Sequence, residues 1–376
     1  MQNNNFCALP FGGMQNWTDG SLKPCCAYQQ HFHQGEIYSV GEFDSWWTQG
    51  LIPIRQNFQE GNPPASCSLC FQPEFINSGV RVSGNSWMKN NSNNTTPLQY
   101  PENIDITFGN LCNLKCLMCT SASSSRIDAE YKQNKTKFDS IGIIQPTMPP
   151  LSRWWEDPET LNKVKEIVCQ ARYVNFSGGE PLLTNQIVDI LDAIPVTCFV
   201  EINTNLTKLS DDQIDALKKF NKVRVSISLD GIESHHEYVR YESRWADIES
   251  NFLKLIKLNL PNIEVAFSYV LQHTSVYTFP KFWNYFKAFN NTIRISEVVP
   301  NTLKDNMMTI NSVLPVDVEN FINWYKQNPT PYNTIIDTWL SNYQFDSAAH
   351  ENFKQYMSTL DQIRGCDFRS TFDPAW

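Results

Sequence analysis

The sequence has no long hydrophobic run. Its apolar stretches, such as Val196–Ile202 and Val265–Leu271, have strand length and fall well short of the roughly 20 residues that cross a bilayer. It has no excess of basic charge either: 30 Lys and Arg stand against 39 Asp and Glu, a formal net charge of −9. A nucleic-acid binder normally shows a basic face, so this balance argues against nucleic acid as the partner. Met1 to Asn5 lack the charged and apolar regions of a secretion signal, which makes the cytoplasm the expected compartment. Thiols stay reduced there, so disulfides are not expected. Apolar residues are not lacking. At 41% of 376 residues they allow one large α/β domain plus a smaller one, or two ordinary domains.

The eleven cysteines are then informative, because their spacing points to metal. Cys112, Cys116 and Cys119 form C-x3-C-x2-C just after a strand expected over Ile104–Phe108. Three thiolates so placed can hold three irons of a cubane and leave the fourth iron open to a ligand. A structural zinc site would want a fourth protein ligand, and plant-type ferredoxins use C-x4-C-x2-C. Cys7, Gly20 and Cys25 form C-x12-G-x4-C, followed by Cys67-Ser68-Leu69-Cys70. These four thiols can close a complete cubane or build a zinc knuckle. Cys26 competes with Cys25 for one position, and the G-x4-C spacing favours Cys25. Cys169, Cys198 and Cys366 stand alone and read as ordinary buried thiols.

Residues 1–88 read as a small loop-rich, Cys-rich module that needs a staple, and 89–100 as a linker around the polar run Asn90–Thr96. Over 101–300 strand and helix signals alternate. Strands are expected at Ile104–Phe108, Tyr173–Phe176, Val196–Asn203, Lys222–Leu229, Ile263–Leu271 and Thr292–Val298. Helices are expected after the Ser210-Asp211-Asp212 cap and over Trp245–Leu258 and Phe279–Phe289. Such alternation implies parallel strands, hence an α/β fold: a partial (β/α)6 barrel, with an open doubly wound sheet as the alternative. Residues 301–376 read as a helical cap, with helices over Val316–Gln327, Thr334–Leu340 and Ala349–Ile363.

The triplet resembles the defining motif of the radical S-adenosylmethionine (SAM) superfamily, and further segments agree. Ser177-Gly178-Gly179-Glu180-Pro181 is similar to the family's glycine-rich motif for the SAM amino group. Its glycines would let backbone approach the ligand, and Glu180 would pair with an ammonium. Asn203-Thr204-Asn205 resembles the TNG turn, with Leu206 in place of the glycine. Ser226-Ile227-Ser228-Leu229-Asp230-Gly231 resembles the S-x-D-G strand end near the SAM ribose, and Arg240 matches an arginine facing the SAM carboxylate.

The amino-terminal cysteines, with Gly35-Glu36-Ile37, Trp46-Trp47 and Arg55, resemble the twitch module, a halved SPASM domain carrying one auxiliary cluster. The resemblance implies a [4Fe–4S] cluster on Cys112, Cys116 and Cys119 that binds SAM, and an auxiliary [4Fe–4S] cluster on Cys7, Cys25, Cys67 and Cys70. It also implies an electron donor such as flavodoxin or ferredoxin. The reaction expected is reductive cleavage of SAM to a 5′-deoxyadenosyl radical that abstracts a substrate hydrogen. The expected substrate is a ribosomally made peptide, with a small molecule such as a sugar or aminocyclitol as the alternative. A non-catalytic Fe–S electron carrier or regulator is the alternative from another class.

Overall fold

Alternation along the strands separates a dry face from a polar one. In β3 (Asn103–Thr107) Ile104 and Ile106 are buried while Asn103 and Asp105 are half-buried. β5 (Tyr173–Ser177) and β6 (Phe199–Thr204) bury Val174, Phe176, Val200 and Ile202 at the same period of two. The computed structural model describes residues 5–29, 36–72, 79–89, 96–148, 153–289, 297–300 and 308–373. The other strands are β1 (Gly13–Asn16), β2 (Leu22–Lys23), β4 (Lys115–Cys116), β7 (Lys222–Ser228), β8 (Arg240–Tyr241), β9 (Ile263–Leu271) and β10 (Glu297–Pro300).

The main sheet has the order β10-β9-β7-β6-β5-β3-β1-β2. From β3 to β10 the strands follow one another in chain order, and β3·β5, β5·β6 and β9·β10 pair in parallel. A doubly wound sheet reverses its order part-way, so this is the singly wound wall of a partial barrel. Among the described residues no helix is long and apolar enough to cross a membrane.

The chain divides into two compact units. The first joins Met1–Leu111, Pro149–Ile202 and Ser210–Val223. In it β1 pairs in parallel with β3, setting Gln15 opposite Asp105, and antiparallel with β2. Within this unit β1 and β2 of the amino-terminal residues therefore extend the sheet beyond β3. Buried Asn16 locks this join: its Nδ2 donates to Thr107 O at 2.8 Å and its Oδ1 accepts from Thr107 N at 2.9 Å. The segment is also less loop-rich than expected, with helices at Ile52–Gln59 and Gly79–Lys89. Buried Arg55 donates to Pro10 O and Trp47 O at 2.8 and 2.6 Å, binding three pieces of chain together. Residues 90–95 of the expected linker lie outside the described residues. The helix Asp211–Lys218 starts from a capping box between Ser210 and Gln213.

The second unit joins Cys112–Met148, Asn203–Leu209 and Arg224–Trp376. It contains the expected β9 and the expected helix Trp245–Leu258, which ends at Asn259 in the left-handed region. Of the expected strand Thr292–Val298, residues 292–296 lie outside the described residues; the observed strand is Glu297–Pro300. The carboxyl-terminal helices Pro315–Gln327, Asn333–Ser341 and Ser347–Arg364 match expectation closely. Phe353, Tyr356, Met357 and Leu360 of the helix Ser347–Arg364 share a core with Leu117, Tyr238 and Val239. The carboxyl-terminal residues thus complete this unit.

Candidate functional site

The triplet loop is built mainly from backbone bonds. Ser124 caps the helix Ser125–Gln133, accepting from Arg126 N and Ile127 N, and its hydroxyl donates to Leu114 O at 2.6 Å. Ser125 Oγ exchanges contacts with the N–H and carbonyl of Cys112 at 3.3 and 3.2 Å. β4 pairs antiparallel with β8, placing Cys116 opposite Arg240, and Leu117 N donates to Val239 O. Cys112 and Cys116 are thereby buried with Leu114, and half-buried Cys119 packs against them. The Cys119 thiol bonds to the Cys116 sulfur, which holds the Cys116 thiol below its ordinary range.

Charges surround this loop. Arg240 Nη1 lies 3.8 Å from Cys116 Sγ, and its Nε donates to Asp230 Oδ2 at 2.7 Å. Asp230 Oδ1 accepts from Val270 N at 2.9 Å. Lys115, inside the motif, pairs with Glu130 at 3.4 Å and Glu242 at 3.0 Å. Glu130 also takes a two-pronged bond from Arg364 at 3.1 and 2.7 Å. Glu130, Glu242 and Arg364 carry no motif that marks them in the sequence. Lys115 alone, a charge between two clustered thiols, could have hinted at partners.

The remaining motif residues fall in both units. Gly178 and Gly179 belong to the first, on the turn after β5. Gly178 has φ +80°, and a Cβ there would meet Thr107 Cβ at 2.7 Å. A Cβ on Gly179 would overlap the Leu111 carbonyl, and the next N–H, of Glu180, donates to that carbonyl at 2.7 Å. The close approach that demands this glycine is to the chain just before Cys112. Buried Glu180 turns Oε1 to Leu182 N at 3.0 Å. In the second unit Asn203 lies in β6, Ser228 closes β7 half-buried, and Leu206 takes φ +56°. The turn keeps the backbone of a glycine although the residue is leucine.

Cys7, Cys25, Cys67 and Cys70 line one pocket of the first unit, with Tyr28, Phe58 and Arg81. Cys67 and Cys70 lie on the 3-10 helix Ala65–Phe71, where residues three apart share a side. Burial pushes the Cys7 thiol up to about 12 and Cys25 well above its ordinary range. Cys26 is exposed and outside this lining. Of the lone cysteines Cys198 is buried, but Cys169 is exposed, against expectation: it caps the helix Pro158–Val168, and its Sγ contacts Glu166 O. Among the described residues no three His, Cys, Asp or Glu side chains close on a single ion. The thiols are grouped as two sets, of three and four, and soft thiolates in those numbers fit Fe–S chemistry.

Beside Cys119, within the second unit, lies a cavity of about 500 Å³ lined by Met118, Cys119, Gln145, Met308, Asn352 and Tyr356, among others. Ile144, 82% exposed, stands at its rim. No charged side chain lines it among the described residues.

Residues 106–276 match the profile of the Radical SAM superfamily. This segment is a radical SAM domain. Such domains carry a [4Fe–4S] cluster and SAM, and the match contains the triplet together with Gly178–Glu180, Ser228, Asp230 and Arg240. A probable GTP 3',8-cyclase of Methanocella arvoryzae is 32% identical over 136 residues, which is 35% of this chain. The alignment spans about a third (34%) of that relative's length. Among solved structures, native anSMEcpe with bound AdoMet and Kp18Cys peptide is 17% identical, with a TM-score of 0.40, over 64% of this chain and 62% of that one. SuiB of Streptococcus suis bound to S-adenosylmethionine is 13% identical, with a TM-score of 0.33, over 86% and 68% of the two chains.

Proposed function

We propose that this chain is a radical SAM enzyme that modifies, by a hydrogen-abstraction reaction, a ribosomally made peptide. The observation that carries the proposal is the gathering of Cys112, Cys116 and Cys119, with Arg240 against Cys116, inside a segment that matches the superfamily. The cluster and SAM, when bound, would supply a 5′-deoxyadenosyl radical by one-electron cleavage of SAM. Cys112, Cys116 and Cys119 would ligate three irons, and Cys7, Cys25, Cys67 and Cys70 would hold an auxiliary cluster. Gly178, Gly179 and Glu180 would receive the SAM amino group, and Asn203, Ser228 and Asp230 would line the remainder of its site. Electrons would come from a flavodoxin or ferredoxin in a reducing cytoplasm.

The cavity beside Cys119 supports the peptide reading. A triphosphate such as that of GTP would need Arg or Lys in its lining, and none stands there among the described residues. The amides of Gln145 and Asn352 beside apolar Met118 and Met308 suit a neutral peptide segment. A sugar or aminocyclitol is the second reading, favoured by the hydroxyls of Thr120 and Tyr356 in the same lining.

Anaerobic reconstitution tests the proposal. Wild-type protein should carry about eight irons per chain and, once reduced, release 5′-deoxyadenosine from SAM. The variant with Cys112, Cys116 and Cys119 changed to Ala should keep about half the iron and release none. Continued release by that variant would refute the assignment. A reduced wild type that cleaves no SAM would favour a non-catalytic Fe–S protein.

A further inference from the structure

Arg240 sits where two constraints meet. The β4·β8 pairing sets it opposite Cys116, and its fork reaches both the Cys116 sulfur, at 3.8 Å, and Asp230, at 2.7 Å. Asp230 is held on its other oxygen by Val270 N at 2.9 Å, so the carboxylate that aims the guanidinium is itself fixed to β9. Arg240 is 8% exposed and Asp230 1%, so water screens neither charge.

We propose that Arg240 and Asp230 form a charge-tuning pair for the cluster ligated by Cys116: the guanidinium favours the reduced cluster and the carboxylate restrains it. The inference rests on the reading that the triplet holds a cluster. One-electron reduction, from the donor protein or a chemical reductant, adds one negative charge to the cluster and its thiolates and moves no atoms. A buried cation within hydrogen-bonding reach of a ligand sulfur stabilises that charge, and hydrogen bonds to ligand sulfurs set cluster potentials. An anion directly behind the cation cancels part of the effect. Arg240 is here a positioning and tuning residue, since it touches a ligand and not the reacting atoms.

Breaking the pair from its two ends then moves the potential in opposite directions. Asp230→Asn keeps an oxygen for Val270 N and removes the countercharge, so the cluster potential rises. Arg240→Gln removes the cation, and the potential falls. Arg240→Lys keeps the charge without the two-pronged reach and restores part of the loss. In the double variant both charges are gone, and the potential lies between those of the two single variants. The measurement is a redox titration of anaerobically reconstituted full-length protein, followed by the electron paramagnetic resonance signal that the Cys112, Cys116 and Cys119 to Ala variant lacks. Potentials unchanged in Asp230→Asn at full iron content would overturn the proposal, as would shifts of both single variants in one direction. A wild type with no triplet-dependent signal would instead overturn the proposed function, which keeps the two failures apart.

Discussion

Removing Glu130 should cost far more than removing any surface charge of the same helix. Its carboxylate and the Arg364 guanidinium have side chains only 3% and 2% exposed, and two bonds of 3.1 and 2.7 Å join them. Arg364 also lies over the Tyr241 ring at 5.0 Å, so it cannot swing to water without giving up that contact. Glu130→Ala strands a buried guanidinium, for which the expected cost is about 3–5 kcal/mol. Lys132→Ala removes the 2.6 Å pair with Asp128, but Lys132 is 59% exposed, and about 0–1 kcal/mol is expected. Urea midpoints of the two variants, compared at a common slope, measure the difference. Glu130→Leu combined with Arg364→Met should recover much of the loss, since no uncompensated charge remains. Lys115 loses one of its two carboxylates in Glu130→Ala, so iron retention by the triplet should fall as well. Equal midpoints for Glu130→Ala and Lys132→Ala would refute the reasoning.

Two further substitutions probe the first unit. Gly179→Ala should displace the Asn110–Leu111 peptide at an overpacking cost of about 1–3 kcal/mol, and lower iron at the triplet while the four-thiol site keeps its share; iron per chain at the wild-type level would show that the loop yields without consequence. Asp105, bonded to Gln15, Asn175 and Ser177 at 2.9, 3.2 and 2.6 Å, has its carboxyl pushed up to about 6 by burial. An acid raised in the native state binds an extra proton there, so its contribution to stability is present at low pH and lost as pH rises from about 4 to 6. Asp105→Asn should remove that slope and stabilise the protein at pH 7, with its amide able to donate to the buried, unpartnered Gln15 Oε1. Urea midpoints at pH 5 and pH 7 that keep the wild-type slope would contradict this.

What could be read in the sequence is what neighbouring residues encode. The triplet, the Ser210–Gln213 capping box and the helix Trp245–Leu258 are each complete within a few turns of chain, and each is found where its pattern lies. β1 carries no strand signal because Gly13-Met14-Gln15-Asn16 has no β-branched residue, and its pairing with the two-residue β2 and with β3, ninety positions away, is what orders it. The Glu130–Arg364 pair spans 234 positions, a separation at which no periodicity survives. The motif carries only part of the information about its own loop. Cys112 and Cys116 are local, but Arg240, Glu242, Glu130 and Arg364, which surround them with charge, are set there by tertiary packing.

Leu206 marks where residue identity and backbone geometry part company. The family's turn carries glycine there, and a leucine reads as a departure that puts the turn in doubt. Yet Leu206 takes φ +56°, with its N–H bonded to Thr204 Oγ1 and its carbonyl to Asn251 Nδ2, both at 2.9 Å. A left-handed non-glycine residue costs about 1–3 kcal/mol, and full burial of a leucine side chain stabilises by about 1.5–3 kcal/mol. Leu206 is 0% exposed, so the two terms are of one size and the strained backbone is held by the side chain that strains it. Asn205, one residue earlier, consequently remains in place to donate to Asn113 Oδ1 at 3.0 Å, next to Cys112. The turn is preserved by packing where the motif would have it preserved by glycine.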